Sequence, residues 1–526
     1  MACRLIPRVV LCLAIAALPA LALSAETSAP LSIGNRRQLL FDDRFVQQAE
    51  GIAFVVHPPR KTGDILLASE PGGALGGYHS ILFDAGTYHL WYTAGGCVLY
   101  ARSTDGIHFE RPPLNLAPGD RKRGIVAAPN VVLGLGAGGV TTGTHGLMVF
   151  LDPNAPPSER FRLAANPEQF GSRVQIFSSP DGIHWRRTHP DVLVFRNLER
   201  PQLDSQNVIF WDDRLGRYVA YFRRKLRERG SPTRTVARAE SPDLAHFPPV
   251  EDAPVVLRAD RRHPGHYAPL KKAHVGILDT YTNGTIKYPW ADDAYFMFPT
   301  DYYHYGSYHG EFREAFPVNA GALDTRFAAS RDGIAWNQYD NRPFIGLGMK
   351  GEFDSRRVYV AYGVVPAPYD LELYMYYLGT SEPHGWGRDD RNNRLLTAAG
   401  LAPTGPSALS RVVLRRDGFV SARAANAGGR FTTPLLRFEG EQLLLNVDTS
   451  ASGELRVEIL DETGQPIPGY TLDDCDIVHT ANEISRPVTW KGAGSVRALA
   501  GRPVRLRFVM RDVDLYAFQF ADRGGI

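Results

Sequence analysis

Apolar residues along most of this chain form short runs bounded by turn residues, and helical spacing is nearly absent. Examples of such runs are Val98-Leu-Tyr-Ala-Arg102, Val174-Gln-Ile-Phe-Ser178 and Thr235-Val-Ala-Arg-Ala239. Short runs rich in β-branched and aromatic residues, closed by Gly, Pro, Asn or Asp, are typical of β-strands. The pattern predicts an all-β protein.

A short phrase follows four of these runs. Its copies are Ser103-Thr-Asp-Gly-Ile-His-Phe109, Ser179-Pro-Asp-Gly-Ile-His-Trp185, Ser241-Pro-Asp-Leu-Ala-His-Phe247 and Ser330-Arg-Asp-Gly-Ile-Ala-Trp336. Asp-Gly between two strand-like runs is typical of a hairpin turn, because Gly tolerates positive φ and Asp bonds the turn backbone. The aromatic residue that closes each copy is expected to begin the next strand and to pack against the sheet. The phrase therefore predicts architecture and indicates no chemistry.

The spacing of the four copies suits one four-stranded sheet per repeat. Hairpin patterns precede each copy, and a degenerate fifth copy ends at Asp417-Gly-Phe419. Five such units predict a five-bladed β-propeller over residues 36–424. The early run over residues 36–55 is expected to close the ring by pairing with the last blade, which would otherwise expose an edge.

Strict alternation of apolar and polar residues sets residues 425–526 apart. Leu455, Val457 and Ile459 alternate with charged residues, and the same holds between residues 504 and 508. Such strands have one buried and one solvated face, as in an antiparallel sandwich. About 100 residues suffice for a small domain of this kind. We expect a C-terminal β-sandwich over residues 425–526.

The N-terminus has the pattern of a secretory signal peptide over residues 1–25. Arg4 and Arg8 precede an apolar stretch from Val9 to Leu23, and small residues follow. The stretch is short and interrupted by Pro19, which argues against a membrane anchor. The mature protein is therefore expected to be secreted or periplasmic.

Charge and cysteine content exclude several classes of partner and cofactor. The formal net charge is +3 at pH 7, so we expect neither a nucleic acid nor a membrane as partner. Cys97 and Cys475 lie in different predicted domains, and no disulfide is expected between them. Phosphate-loop, zinc-helix and nucleophile-elbow motifs are absent from the sequence, so no cofactor is expected. A structural Ca²⁺ in the central channel is left open, and the sequence does not indicate an oligomeric state.

Candidate site residues lie just before the first strand of each predicted blade, because these positions face the central funnel at one pole of a propeller. They are Tyr78, His79, Thr144, His145, Asp204, Gln206, Asn207, Asp279, Tyr281, Asn283, Glu352 and Asp354. Carboxylates, amides, imidazoles and phenols that face one pocket are suited to binding a sugar. The alternative for each residue is an ordinary polar role at a strand entry or in a loop.

Glycoside hydrolysis needs one protonated carboxyl as acid and one ionised carboxylate as base or nucleophile. Asp204 is the candidate for base or nucleophile and Glu352 for general acid, with Asp354 and Asp279 orienting the substrate. The predicted substrate-binding residues are His79, His145, Gln206, Asn207, Tyr281 and Asn283. No metal site is expected, because blade spacing keeps apart the recurring histidines of the repeat, which are His108, His184 and His246.

The chain resembles secreted bacterial five-bladed propeller proteins of the glycoside hydrolase family 32 and 43 type. The resemblance rests on the phrases Leu203-Asp-Ser-Gln-Asn-Val-Ile-Phe-Trp211, Asp279-Thr-Tyr-Thr-Asn-Gly-Thr-Ile-Lys-Tyr-Pro-Trp290 and Gly351-Glu-Phe-Asp-Ser355. The stretches Gly469–Asp476 and Trp490–Gly492 resemble the sandwich appended in such proteins. The motifs of the sucrose- and fructan-cleaving members do not occur intact, since Leu151-Asp-Pro153 has Leu where Arg is expected.

The resemblance implies a glycosidase that is exo-acting or removes side chains, with acidic residues at the propeller pole. The expected function is a secreted glycoside hydrolase that acts on oligo- or polysaccharides. The alternative, from another functional class, is a propeller that binds carbohydrate without cleaving it. The sugar, the linkage and the stereochemical outcome do not follow from the sequence.

Overall fold

The computed structural model describes most of the chain after residue 28. Its described ranges are 29–68, 73–119, 127–171, 173–196, 203–228, 231–259, 278–305, 319–339 and 342–522. The predicted signal peptide over residues 1–25 lies outside them. Strands dominate these ranges, which confirms the all-β prediction, and the α-helix that they contain is Asp390–Ala398. No helix of the described ranges is long and apolar enough to cross a membrane.

Four-stranded antiparallel sheets follow one another along the chain, and we call them units I to III. Unit I contains Leu75–Asp84, Thr87–Ala94, Cys97–Ser103 and Val131–Leu133. Unit II contains Thr144–Leu151, Phe161–Pro167, Gln175–Ser179 and Arg186–His189. Unit III contains Val208–Asp212, Arg217–Glu228, Ser231–Ser241 and Val255–Leu257. Each unit is an up-and-down meander, as the repeat predicts.

Unit IV has the same layout, but its strands are interrupted, so that the unit forms two adjacent sheets. One sheet contains Leu278–Thr282, Thr300–His304 and Gly321–Thr325. The other contains Ile286–Lys287, Tyr295–Met297, Ala328–Ser330 and Asn337–Gln338. The first sheet continues into the next unit through a parallel pairing of Leu323 with Arg357.

Unit V is completed by residues from the other end of the chain. Its own strands are Arg357–Val360, Val365–Pro366, Glu372–Thr380 and Ala408–Arg415. The strands Arg60–Lys61 and Leu67–Ala68 pair with the last of these, with Lys61 opposite Val412 and Leu67 opposite Leu409. The sequence predicted this closure but assigned it to residues 36–55, and that assignment is wrong.

Residues 31–56 pair with two sheets formed mainly by the C-terminal residues. The larger sheet contains Gln38–Leu39, Ile52–Val56, Val420–Ala424, Gln442–Asp448, Asn482–Pro487 and Val513–Ala521. The smaller contains Gln48–Glu50, Gly429–Thr432, Glu454–Leu460, Val478–His479 and Arg505–Arg511. Leu31–Gly34 pairs in parallel with Leu436–Phe438. Both ends of the predicted propeller segment, 36–56 and 420–424, therefore belong to these sheets.

Both C-terminal sheets contribute to one apolar cluster, as their alternation predicts. Leu455, Val457 and Ile459 are fully buried beside Leu445 and Leu515 of the larger sheet. Short 3₁₀ helices connect strands elsewhere, at Asp43–Phe45, Pro157–Glu159, Glu168–Phe170, Val250–Asp252 and Arg497–Leu499. Cys97 and Cys475 are both buried and free.

The repeated phrase forms turns that bind neighbouring units to one another. In the second copy, Asp181 Oδ1 accepts hydrogen bonds from the backbone N–H groups of Ile183 and His184. Gly182 has φ +75°, and its carbonyl accepts a hydrogen bond of 2.7 Å from the indole of Trp91 in unit I. The Gly106 carbonyl is bound in the same way by Tyr376 of unit V. These turns therefore fasten neighbouring units to one another.

Contacts between first strands bring the units together at their other end. Gln206 of unit III donates to the carbonyls of His79 in unit I and Leu147 in unit II, at 3.0 and 2.8 Å. Ser80 of unit I forms a parallel bridge with Tyr362, which follows the first strand of unit V. We call the end of the units where their first strands begin the pole.

Candidate functional site

A cavity of about 330 Å³ opens at the pole, and we call it the pole cavity. Its main functional side chains come from units I, II, IV and V, and they are Tyr78, His145, Tyr281, Arg357, Tyr359, Glu382 and His384. Three phenol rings, two imidazoles and one ion pair therefore surround it. Such a mixture of aromatic faces and hydrogen-bonding groups is suited to a polar ligand with apolar faces.

Tyr281 is the central aromatic residue of this cavity. Its ring lies 5.4 Å from the His384 ring and 6.0 Å from the Tyr359 ring, centroid to centroid. Burial lowers the pKa of His384 to about 3, so its imidazole is neutral. The His384 Nδ1–H donates to the Asn319 carbonyl at 2.8 Å, which leaves Nε2 to accept from the Tyr281 hydroxyl at 3.3 Å. The orientation of both rings is therefore determined by hydrogen bonds.

Glu382 is the carboxylate that lines the cavity among the described residues. Arg357 holds it in place, donating from Nε to the Glu382 carbonyl at 2.7 Å and from Nη2 to Oε2 at 3.2 Å. The Glu382 side chain is 31% exposed. One face of this carboxylate is thus occupied by the guanidinium, while the rest is accessible to a ligand.

Asp204 lies next to the cavity without being part of its wall. Arg223 Nη1 donates to Asp204 Oδ1 at 2.7 Å, and the side chains of these residues are 2% and 56% exposed respectively. The guanidinium of Arg223 lies 4.6 Å from the centroid of the Tyr281 ring. The hydroxyl of Tyr78, a cavity residue, contacts the Asp204 carbonyl at 3.4 Å. Asp204 therefore presents an exposed carboxylate at the rim.

Asp279 is fully buried beneath Tyr281 and has no exposed acceptor. Its oxygens accept from the Arg234 backbone N–H at 2.9 Å, from the Arg234 guanidinium, and from His304 Nε2 at 2.9 Å. Burial raises the pKa of Asp279, but the hydrogen bond from His304 and the charge of Arg234 outweigh it and lower the pKa below its ordinary value. Asp279 positions Arg234 and does not reach the cavity.

Glu352 and Asp354 do not line the pole cavity. Asp354 Oδ2 accepts from Lys61 Nζ at 2.6 Å and from the Tyr377 hydroxyl at 2.9 Å, in the seam where residues 60–61 complete unit V. A Cβ built on Gly348 would stand 1.9 Å from Asp354 Oδ1 and 2.4 Å from Glu352 Oε2. The two carboxylates therefore approach the backbone of the same loop at Gly348, outside the wall of the pole cavity.

The remaining predicted binding residues divide into one cavity residue and several buried ones. His145 is exposed in the cavity. Gln206, Asn207 and Asn283 are buried, and their amides bind backbone carbonyls within and between units. His79 is fully buried, and burial lowers its pKa to about 3. Gln206 connects units I, II and III, and none of these four buried side chains is accessible to a ligand.

Arg357, Tyr359, Glu382 and His384 were missed by the sequence reasoning. Glu382 and His384 follow the strand Glu372–Thr380 of unit V, with which Arg357–Val360 and Val365–Pro366 both pair as the interrupted first strand, and Glu372–Thr380 ends at the pole. In an up-and-down sheet the loop after the second strand returns to the end where the first strand begins. The sequence analysis considered only residues before first strands, so a search of these loops would have found them. Within the described ranges, no group of three or more His, Cys, Asp or Glu residues is placed to hold a metal ion.

Comparisons with known proteins give similarities to glycoside hydrolases among solved structures. No family model matches the chain, and no curated protein matches it. A structure described as a glycoside hydrolase covers 68% of this chain and 92% of its own, with 12% identity and a TM-score of 0.43. A thermostable family-43 glycoside hydrolase covers 68% of this chain and 96% of its own, with 14% identity and a TM-score of 0.41. A putative glycosidase from Bacteroides thetaiotaomicron covers 67% of this chain and 96% of its own, with 14% identity and a TM-score of 0.39.

Proposed function

We propose that this chain is a secreted glycoside hydrolase, a five-bladed β-propeller with a C-terminal β-sandwich, whose active site is the pole cavity. The observation that carries the proposal is the cavity itself. Tyrosine rings form its walls, Glu382 lines it and Asp204 lies at its rim. Aromatic rings stack on sugar faces, and two separate carboxylates are what hydrolysis of a glycosidic bond requires.

The propeller assignment is supported by contacts between successive units. Trp91 of unit I binds unit II, and Gln206 of unit III binds unit II. The Arg234–Asp279 pair joins units III and IV, and the Leu323–Arg357 pairing joins units IV and V. Tyr376 of unit V binds unit I. Five units linked in this order form a closed ring, which is the arrangement of propeller blades.

Secretion is supported by the N-terminal pattern of Arg4, Arg8 and the apolar stretch to Leu23. That segment ends before the first described strand, Leu31–Gly34, so its removal leaves the described sheets intact. A secreted enzyme that acts on oligo- or polysaccharides is consistent with a cavity at the surface.

The roles follow from exposure. Asp204 keeps the role that the sequence assigned to it, base or nucleophile, because its carboxylate is exposed and its backbone carbonyl contacts the hydroxyl of the cavity residue Tyr78. Glu382 takes the role of general acid in place of Glu352, because it lines the cavity. Asp279 acts indirectly by holding Arg234 beneath Tyr281. Asp354 is a structural residue of the unit V seam.

The test is a glycan panel assayed with the wild type, Asp204→Asn and Glu382→Gln. Both substitutions keep the shape of the side chain and remove its acid–base chemistry, so each is expected to lower kcat/KM by about 10²–10⁴-fold on any substrate that the wild type cleaves. Glu372→Gln, on the exposed first residue of its strand, is the matched control and retains full activity. Activity of both site variants within about threefold of wild type, or no cleavage of any glycan by the wild type, contradicts the proposal.

A carbohydrate-binding propeller without catalysis is the second candidate. One observation favours it, because both Asp204 and Glu382 have an arginine partner and neither is a free carboxyl in an apolar setting, the environment of a typical general acid. This candidate predicts that the panel yields glycans that bind to the wild type without being cleaved. Isothermal titration calorimetry on the same glycans separates the two functions.

A further inference from the structure

Three cationic residues share one face of unit III beside the pole cavity. Lys225 stands directly opposite Arg234 in the antiparallel ladder, and Arg223 lies two residues before Lys225. Residues two apart on one strand point to the same face, as do residues paired across an antiparallel ladder. The first strand of the unit begins at Val208, which pairs with Tyr221. The second and third strands, Arg217–Glu228 and Ser231–Ser241, therefore extend past the first strand at the pole, and the three cations lie on this extension.

This cationic face is turned toward the cavity wall. The guanidinium of Arg223 lies 4.6 Å, and that of Arg234 5.6 Å, from the centroid of the Tyr281 ring. Tyr281 lines the pole cavity. Arg223 also donates to the Tyr281 carbonyl at 3.0 Å. A ligand that stacks on Tyr281 therefore lies close to the face that Lys225 shares.

The three cations have two carboxylate partners. Arg223 pairs with Asp204, and Arg234 pairs with Asp279. Within the described ranges no carboxylate lies within 4.0 Å of the Lys225 ammonium, although the side chain is half-buried. Burial lowers the pKa of Lys225 accordingly. Asp204 and Asp279 attract Lys225 only from a longer range, so that among the described residues this face has three cations and two carboxylates.

This arrangement reduces the stability of the free protein. Like charges directly opposite each other in an antiparallel pair are destabilising, and a cation without a partner loses part of its hydration on burial. An anionic group bound beside Lys225 would remove both penalties. Residues that weaken the fold in this way are typical of binding sites.

We propose that the pole cavity accepts a sugar that carries an anionic substituent, with Lys225 as its charge partner. The inference rests on the proposed function and names the substrate class of the same site. The substituent is a carboxylate, as in a uronic acid, or a sulfate ester. A neutral sugar would satisfy the hydrogen-bonding groups of the cavity but would leave Lys225 without a partner.

The experiment compares three ligands by isothermal titration calorimetry. These are an oligogalacturonide, its carboxyl-reduced neutral counterpart, and a sulfated galactan oligosaccharide. The wild type is expected to bind one of the anionic ligands at least about tenfold more tightly than the neutral one. The arm that shows this preference distinguishes a carboxylate from a sulfate.

Lys225→Met and Lys225→Arg separate the charge from other effects. Lys225→Met is expected to abolish the preference for the anionic ligand and to leave binding of the neutral ligand unchanged, while Lys225→Arg retains the preference. In the absence of ligand, Lys225→Met is expected to raise Tm, because it removes the repulsion with Arg234. This second measurement also shows that the variant is folded.

Three results would count against the inference. Equal or tighter binding of the neutral ligand by the wild type overturns it and leaves the glycosidase proposal intact. A preference for the anionic ligand that persists in Lys225→Met overturns the role of Lys225. Absence of binding to all three ligands, together with a glycan panel that yields no cleavage, overturns the inference and the proposed function together.

Discussion

Asp204 beside the pole cavity and Asp354 at the unit V seam look alike in the sequence, but the structure exposes one carboxylate and buries the other. Each precedes a first strand in a short polar segment, and each pairs with one cation. The Asp204 carboxylate is 56% exposed, whereas that of Asp354 is 3% exposed. The carboxylate of Asp204 is accessible to a ligand. The carboxylate of Asp354 is buried and binds Lys61 and Tyr377. An ion-pair partner therefore does not decide whether a carboxylate can meet a ligand; the exposed fraction of the carboxylate does.

The largest expected effect separates the two sites by activity. Asp204→Asn is expected to lower kcat/KM by about 10²–10⁴-fold. Its Tm is expected to fall only slightly, because the amide oxygen of Asn can still accept the hydrogen bond from the buried Arg223 guanidinium. Asp354→Asn is expected to retain kcat per folded molecule. Steady-state kinetics and thermal melts of both variants measure this, and a loss of activity in folded Asp354→Asn alone would reverse the assignment.

The next effect separates them by stability. Asp354→Asn is expected to lower the free energy of unfolding by about 3 kcal/mol, since removing one partner of a buried ion pair leaves the other charge uncompensated. Adding Lys61→Met to Asp354→Asn is expected to recover part of this loss. Urea denaturation of the two single variants and the double variant provides the measurement. Additive losses would contradict a direct pair between these residues.

Two tyrosines extend the comparison to neutral groups. Tyr281→Phe removes the hydrogen bond to His384 in the cavity and is expected to raise KM by about two- to tenfold, with little change in Tm. Tyr377→Phe removes a hydrogen bond to the Asp354 carboxylate and is expected to lower the free energy of unfolding by about 1.5–3 kcal/mol, with KM unchanged. If the kinetic effect appears in Tyr377→Phe and the stability effect in Tyr281→Phe, the two regions have been wrongly distinguished.

The smallest effect concerns the repeat turns, which belong to neither site. Burial raises the pKa of Asp181, but hydrogen bonds from the backbone and ring of His184 outweigh it and lower the pKa to about 2. A carboxyl with a depressed folded-state pKa stabilises the fold above its unfolded pKa near 4, and this contribution disappears as pH falls toward about 2. Asp181→Asn is therefore expected to cost less than about 1 kcal/mol at pH 7, with the difference shrinking below pH 4.

Asp332→Asn is the matched control for this turn, because the fourth copy has Ala335 where the second has His184. Its side chain accepts the same backbone hydrogen bonds without a histidine partner. The loss in Asp332→Asn is expected to be smaller than in Asp181→Asn. Thermal melts of both variants between pH 7 and pH 2 provide the comparison, and an equal loss would show that the histidine contributes nothing.

Local features of the fold could be predicted closely from the sequence. The turn around Gly182 depends on residues within a few positions of it, namely Ser179, Asp181 and His184, so its geometry follows from their side chains. The buried alternation at Leu455, Val457 and Ile459 is likewise local, because one face of a strand is decided by every second residue. Both predictions are confirmed.

Features that depend on pairing between distant segments could be predicted only in part. The sequence indicated that an early segment closes the last unit, but residues 36–55 and 60–68 both read as extended chain, and only the register with Ala408–Arg415 distinguishes them. Glu382 was overlooked because only residues before first strands were considered, and the burial of Lys225 beside Arg234 depends on how the strands of unit III pack in the fold. A carboxylate or an ammonium looks the same in a sequence whether it is buried or exposed.

The sequence by itself determined the strands and the repeat turns, because these follow from hydrophobic alternation and turn chemistry over short distances. The tertiary structure decided which segment completes unit V, that Asp354 is buried while Asp204 is exposed, and that Lys225 stands opposite Arg234 with no carboxylate of the described residues in ion-pair distance. The physical reason is that burial, ion pairing and access to a cavity are properties of groups brought together from distant parts of the chain.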